Sequence, residues 1–489
     1  MQIKEKSLKQ LTINGITWSL VDNSVRQASN FIVGIVLARL LLPRDFGLIG
    51  MIAIFMSISQ SFIDSGFSQA LIRKKHCTQS DYSSVFFFNL IIGIFFYLVL
   101  FFTASAISIY FKEPQLKLIV QLLGIDLIIN ALTVVQFTQL TRRIDFKLQT
   151  HITVLASFGS GLISIVMALK GYGVWSLVAK LVAQHAFNTI FLWYWNSWRP
   201  SWSFDVRSLK ELYSFGSKLF ISGLIDSTFT NIYYFVIGKY FSAVELGYYT
   251  QADSLQGLPS KNLTNVIQRV SYPVLTSIQA NTDRLKSAYE KLIRSTMLIS
   301  FVLMIGLAAV AKPLVVTLIG TKWLPSVIYL QLLCFVGMFY PLHALNLNLL
   351  NVQGRSDLFL RLEIIKKLLA VPIIIIAIFF GIKMLIFGML VISLIAYFLN
   401  SYWSGQLIGY SSLEQLRDIL PSFLLALSGG IVAHLTGIFL NLSHLLTLII
   451  QITVSGIFVV CISEILRFSD YLYLKDIVKD KILIEYGTT

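Results

Sequence analysis

The chain has 489 residues, of which 56% are apolar and 13% charged, with a mean hydropathy of +0.75. Soluble domains carry about 25% charged residues, so these figures exclude a disordered chain, a disulfide scaffold and an ordinary soluble enzyme. They read as a polytopic, all-α integral membrane protein. The net charge of +15 does not point to nucleic acid, because no basic run exceeds Arg73-Lys74-Lys75. The other cations sit mostly in short gaps between apolar stretches, where an anionic leaflet would face them. Cys77, Cys334 and Cys461 lack the spacing of a metal site or a redox pair, and disulfides are not expected. The first apolar segment contains Asp22, Asn23 and Arg26 and runs to about Leu42, which does not fit a cleaved signal peptide.

A helix crosses about 30 Å of hydrocarbon with roughly 20 residues. On that ruler the first seven spans fall near 14–42, 46–64, 83–110, 116–140, 148–169, 173–195 and 211–238. The next seven fall near 246–275, 288–319, 325–350, 358–380, 383–409, 419–440 and 443–466. The eighth is the most polar, interrupted by Asp253, Lys261, Asn262, Asn265 and Arg269. Its place is tested by the loops. With fourteen spans and the N-terminus inside, 25 of the 39 basic residues fall on the cytoplasmic side, nine on the other and five within spans. That bias follows the positive-inside rule and puts both termini in the cytoplasm. The loops hold too few residues for a folded domain, so work on a substrate belongs inside the helical bundle. Tyr471–Tyr486 mixes Leu472, Leu474, Ile477, Val478, Ile482 and Ile484 with Lys and Asp, and reads as an amphipathic helix on the inner surface.

A repeat is visible at an offset of 200 residues. Leu37-Ala-Arg-Leu-Leu-Leu-Pro-Arg-Asp-Phe-Gly47 closes the first span, and Ile237-Gly-Lys-Tyr-Phe-Ser-Ala-Val-Glu-Leu-Gly247 closes the seventh. Arg39 matches Lys239, Asp45 matches Glu245, and Gly47 matches Gly247. Six helices separate the copies, so both run in the same direction. The expected architecture is two six-helix lobes related by a pseudo-twofold along the membrane normal, plus two extra helices. Residues 1–210 form the N-terminal lobe with its connecting cytoplasmic loop, 211–410 the C-terminal lobe, 411–466 helices thirteen and fourteen, and 467–489 a cytoplasmic amphipathic tail.

Charges within spans are costly and usually face an interior cavity. In span one, Ser19, Asp22, Arg26 and Asn30 share a helical face; in span seven Lys218, Ser222, Asp226 and Thr230 do the same. The offset lays Asp22, Arg26 and Asn30 on Ser222, Asp226 and Thr230. Span two adds Ser57, Gln60, Ser61, Asp64 and, just past its end, Ser68, and span eight adds Lys261, Asn262, Asn265 and Arg269 beside Pro259. Spans one, two, seven and eight would then line a watery chamber carrying Arg26, Lys218, Lys261 and Arg269. The competing reading makes Asp22–Arg26 an ion pair in a packed bundle, and leaves Asp64 and Arg269 at the interface. A surplus of cations suits an anionic substrate such as a phosphate, held by charge-assisted hydrogen bonds. Asp22, Asp226 and Asp253 are the candidates for coupling to a proton or sodium gradient. No organic cofactor or metal is expected. His185, His343 and His434 read as packed or interfacial histidines, and Trp193, Trp195, Trp198 and Trp202, at a span's inner end, as mostly interfacial belt. No HExxH, GxSxG, Walker A or DxD sequence occurs, so an enzyme is not expected.

The run Leu37 to Gly50, continued through Leu48-Ile-Gly50, and the run Asp64-Ser-Gly-Phe-Ser-Gln-Ala-Leu-Ile-Arg-Lys-Lys75 together resemble the polysaccharide transporter family. These are the Wzx-type lipopolysaccharide and exopolysaccharide flippases of the MOP superfamily, which also holds the MATE exporters and the lipid II flippase. The resemblance implies a bacterial inner-membrane protein that moves an undecaprenyl-diphosphate-linked oligosaccharide to the outer leaflet by alternating access. In that picture Arg26, Lys218, Lys261 and Arg269 hold the diphosphate or acidic sugars, and Asn30, Asn262 and Asn265 hydrogen-bond the glycan. The expected partners are the lipid-linked glycan, membrane lipids, and a polysaccharide polymerase with its chain-length machinery. The alternative is a MATE-like, cation-coupled exporter, which would favour an acid-dominated cavity.

Overall fold

The computed structural model describes residues 8–440 and 442–486. Side chains are described at Trp18 and from Ser24 to Lys479, apart from residues 215, 218, 219, 356, 441, 477 and 478. Among the described residues every regular element is helical. The first half runs α1 (Leu8–Leu40), α2 (Pro43–Asp64), the short α3 (Phe67–Arg73), α4 (Gln79–Phe111), α5 (Leu116–Arg142), α6 (Phe146–Leu169), α7 (Val174–Trp195) and α8 (Val206–Tyr240). The second runs α9 (Ala243–Ser277), α10 (Thr282–Ala309), α11 (Ala311–Ile319), α12 (Ser326–Gly337), α13 (Tyr340–Val352), α14 (Ser356–Ile378), α15 (Ile382–Ile408), α16 (Ser412–Phe439), α17 (His444–Ile465) and α18 (Ser469–Tyr486).

Each of the fourteen predicted spans coincides with a helix or a broken pair of helices. Span nine divides into α10 and α11, and span ten into α12 and α13. Pro313 and Pro341 stand in the first turns of α11 and α13. A proline lacks the N–H that would continue the preceding ladder, so the break falls just before it. Nine spans among the described residues are long and apolar enough to cross a membrane. The protein is thus a multi-pass, all-α membrane protein.

By contacts the chain forms two compact units, residues 1–247 and 248–489. In the first, α4 lies along α5, α6 along α7 and α1, and α5 along α7. Helix α8 lies against α2 and so belongs to this unit, which ends in the first turn of α9. In the second, α10 packs on α16, α14 on α15, and α16 on α17.

The repeat motif has a physical explanation within the first unit. Helices α1 and α8 stop at Leu40 and Tyr240, and α2 and α9 start at Pro43 and Ala243, so both corners keep the 200-residue offset. A Cβ on Gly47 would lie 1.7 Å from the Ala243 carbonyl oxygen, and one on Gly247 would lie 1.8 Å from that of Pro43. The contacts exchange under the offset: the start of α2 crosses the start of α9 backbone to backbone, each glycine making room for the other helix. The acid of the first motif has a local duty, since Asp45 accepts from the Leu42 N–H at 2.9 Å and satisfies the chain where α1 breaks. The second motif run, from Asp64, turns through left-handed Ser65 and Gly66 (φ 44° and 72°). There a Gly66 Cβ would come within 2.3 Å of the Gly216 carbonyl oxygen on α8.

One expectation fails at the α7–α8 connection. Of the four tryptophans, Trp198 departs from the expected belt. Trp202 is 97% exposed, but Trp198 is 8% exposed and packs with Phe67, Leu71, Phe86, Val135 and Leu212. Its Nε1 donates to Gln79 Oε1 at 2.7 Å, and its carbonyl accepts from Gln136 Nε2 at 3.3 Å. The connection folds back over the ends of α4 and α5, held by the Ser201 and Asp205 N–H groups donating to Ser83 and Ser84. That return path puts an aromatic that local sequence places at an interface into a core.

The tail forms a helix, α18, joined to its unit by Asp470, which accepts from the Ser422 hydroxyl at 3.3 Å, and by Lys475 and Tyr471, both bonded to Glu464. The side chains of Ile477, Val478, Ile482 and Ile484 lie outside the described residues.

Candidate functional site: a polar cavity in the first unit

Helices α2, α3, α5 and α8 line an open cavity of about 600 Å³ within the first unit. Helix α2 contributes Ser57, Gln60, Ser61 and Asp64; α5 contributes Asn130, Thr133, Thr138 and Thr141; and α8 contributes Ser227. On α2 these fall at spacings of three and four, which places one helical face on the cavity. A second cavity of about 570 Å³ adjoins it, sharing Ser61, Asp64, Gln69 and Ile72, and adds Arg73 and Phe220. The lining therefore carries hydroxyls, amides and one carboxylate, with an arginine at its edge.

The polar groups are ordered by one another. Ser57 and Ser227 share a hydrogen bond, and Asn231 Nδ2 donates to Ser57 Oγ at 3.2 Å, tying α2 to α8 at one end. At the other, Ser68 donates to Asp64 at 2.6 Å. Thr133 donates to the Asn130 side-chain oxygen at 3.1 Å. Hydroxyls and amides that both donate and accept suit a polyhydroxylated ligand, while an acid with an arginine nearby sets polarity along the cavity.

The segment after α3 is braced by charges. Lys74 Nζ donates to Asp81 at 3.2 Å and Glu211 at 3.0 Å, tying the segment after α3 to α4 and α8. Burial works against the Lys74 charge, but the bonds to Glu211 and Asp81 outweigh it and raise the group above the ordinary lysine range. Arg142 donates to the carbonyls of Leu71 and Lys75 and to the Tyr82 hydroxyl. At the start of α8 the Arg207 N–H and the Ser208 hydroxyl hold the Asp205 carboxyl below its usual range. In the second unit, burial raises that of Asp470.

The sequence-predicted residues fall in several places. Gln60 and Asp64, read as part of the span-two stripe, line the cavity. Arg26 is exposed and Asn30 half-buried on α1, and Asp226 is exposed on α8 beside exposed Ser222 and Thr230; these are not among the lining residues. The side chains of Asp22 and Lys218 lie outside the described residues. In the second unit Lys261, Asn265 and Arg269 are exposed along α9, and Asn262 is half-buried. Lys261 pairs with Asp253 at 3.8 Å, which joins a predicted substrate ligand to a predicted coupling acid.

The structure also brings together two residues that the spacing did not connect. His185 Nδ1 lies 2.7 and 2.8 Å from the two carboxylate oxygens of Asp126, joining α7 to α5 midway along both helices. His185 is therefore a hydrogen-bond partner of a carboxylate rather than a merely packed ring. Asp126 itself stands alone in an apolar run, and an isolated acid at mid-span was the available signal.

Residues 36–328 match a family described as polysaccharide biosynthesis protein. The lipopolysaccharide biosynthesis protein WzxC of Escherichia coli (strain K12) is 24% identical over 450 residues, covering 89% of each chain. The teichuronic acid biosynthesis protein TuaB of Bacillus subtilis (strain 168) is 26% identical over 307 residues, covering 61% of this chain and 62% of TuaB. Among solved structures, the lipid II flippase MurJ in an inward closed conformation superposes with a TM-score of 0.74 at 14% identity, covering 92% of this chain and 99% of MurJ.

Proposed function

From the premise that the chain belongs to the polysaccharide biosynthesis protein family, a family of transporters rather than enzymes, we propose that it flips an undecaprenyl-diphosphate-linked oligosaccharide from the inner to the outer leaflet of the bacterial cytoplasmic membrane. The observation that carries this reading is the cavity lined by hydroxyls and amides within an apolar bundle. Polar groups in a membrane are retained where a ligand or water meets them. Sugar hydroxyls would exchange hydrogen bonds with Gln60, Ser61, Asn130 and Thr133. The diphosphate would be met by Arg73 at the cavity's edge and by the sequence-predicted cations Arg26 and Lys218, and in the second unit by Lys261 and Arg269. Asn30, Asn262 and Asn265 would extend the sugar contacts. The polyprenyl tail would stay in the lipid, and alternating access would carry only the head group across. Both termini lie in the cytoplasm in this reading, and a polymerase with its chain-length machinery would take the product.

Complementation of a bacterium lacking its own glycan flippase tests the proposal. Wild type should restore surface polysaccharide, and Gln60→Leu with Asn130→Leu should abolish it at normal expression. Arg26→Ala and Lys218→Ala should lower it as well. Failure of wild type with several glycans, together with a rise in drug resistance, would replace the flippase by an exporter. Full restoration by the cavity variants would keep the flippase and discard this site.

A further inference from the structure

We infer that the Asp126–His185 pair is a proton-binding site whose occupancy is linked to an anionic ligand in the neighbouring cavity. The inference rests on the transport reading above and adds to it the residues that would carry a coupling proton.

The geometry supplies three parts. The first is the pair itself, with His185 Nδ1 within 2.8 Å of both Asp126 oxygens, at the middle of α7 and α5. The second is access: the Asp126 side chain is 10% exposed, and that of His185 is 36% exposed. The third is proximity to the site. Asn130, one helical turn beyond Asp126 on the same helix, lines the cavity, and Thr189, one turn beyond His185, donates to the Ile129 carbonyl on α5.

Apart from Lys180, five residues before His185 on α7, the other titratable groups around the pair are engaged or distant along their helices. On α4, Tyr97 lies over Gly124, where a Cβ would meet its ring at 3.0 Å, and Asp81 is bound to Lys74. On α2, Asp64 is held by Ser68 at the far end of the cavity; Arg44 at the opposite end pairs with Glu113. Lys147 and His151 on α6 lie against Trp18, and Arg142 on α5 is bound by carbonyls. Arg73 on α3 sits at the cavity's edge, and Lys180 stands on α7 itself.

The charge balance gives the direction of coupling. With one proton the pair is imidazolium and carboxylate, neutral overall. Releasing that proton leaves neutral imidazole beside a carboxylate, one negative charge in a low-dielectric site. A diphosphate entering the cavity adds negative charge nearby and so favours the protonated pair. Anion binding therefore takes up a proton, and by reciprocity a proton strengthens anion binding.

The full chain in phosphatidylethanolamine–phosphatidylglycerol vesicles, with undecaprenyl diphosphate as the probe, tests this. In weak buffer, wild type should take up protons on adding the probe, and binding should weaken several-fold as the pH is raised. Asp126→Asn and His185→Gln should both lose the excess uptake and bind with a flatter pH profile. If Asp126→Asn does not fold, His185→Gln carries the same comparison. Equal uptake by wild type and variants assigns the proton to the probe and overturns the inference while leaving the flippase. If wild type does not bind the probe, the flippase reading fails instead. The pair is then decided by following the imidazole–imidazolium change of His185 by nitrogen NMR: a protonation step present in wild type and shifted in Asp126→Asn sustains it, and no such step ends it.

Discussion

At the first turn of α8 the Asp205 carboxylate accepts the Arg207 N–H at 2.8 Å and the Ser208 hydroxyl at 3.0 Å, while its own N–H donates to Ser84. A helix N-terminus leaves unpaired donors, and an acid there satisfies them best when ionised. These bonds depress the carboxyl below its ordinary value of about 3.9. The sign follows from linkage: the contribution is complete above that ordinary value and is lost as pH falls through the depressed one. Asp205→Asn keeps an acceptor without the charge. Wild type should therefore unfold at a higher temperature than the variant at neutral pH, and the gap should close on acidification below about pH 4. A gap that stays constant down to pH 3 would show that the charge contributes nothing. Cap residues of this kind are legible locally, whereas Asp126–His185 and Trp198 are not. The first pair spans 59 residues between two helices, and Trp198 enters its core only because the chain turns back.

At the scale of elements, the crossing at Gly47 and Gly247 states what the repeat is for. Two corners of the same form, at the same 200-residue offset, bring α2 and α9 into backbone contact. The carbonyl each added methyl would strike belongs to a helical backbone, which cannot rotate away as a side chain can. Gly47→Ala and Gly247→Ala should each destabilise the protein by about 1–3 kcal/mol or more, the usual cost of overpacking, and by similar amounts. Denaturation midpoints of the two variants against wild type measure this; an unchanged midpoint for either would mean the helices separate freely. Side-chain caps at Thr78, Asp145, Asp205, Asn281 and Ser411 begin α4, α6, α8, α10 and α16, helices whose starts lie on the basic side of the predicted topology. The cations there also brace the fold: Lys286 donates to the Gly409 carbonyl, and Arg294 pairs with Asp418 at 2.7 Å.

For the whole molecule, the topology turns on α9. Its 35 residues are helical throughout, despite Pro259 and Pro273 and their lost ladder bonds. If it spans, a reporter fused after Gly354 lies in the cytoplasm and one after Lys322 lies outside. If it lies in the interface, both positions change sides, and fusions active only in one compartment distinguish the two.

Span positions, the broad fold class and the family motifs were legible in the sequence by itself, because a bilayer imposes length and apolarity on each helix independently of its neighbours. The repeat was visible too, since the offset preserves residue type at both corners. Only the tertiary structure decided which polar residues meet. One helical face can be read from spacing, but its partner helix cannot, and so the stripe on α2 was found while its companions on α5 were missed. The same reason explains Asp126 and His185: spacing along one helix does not name the partner on the other, and the pair exists only where α5 packs along α7.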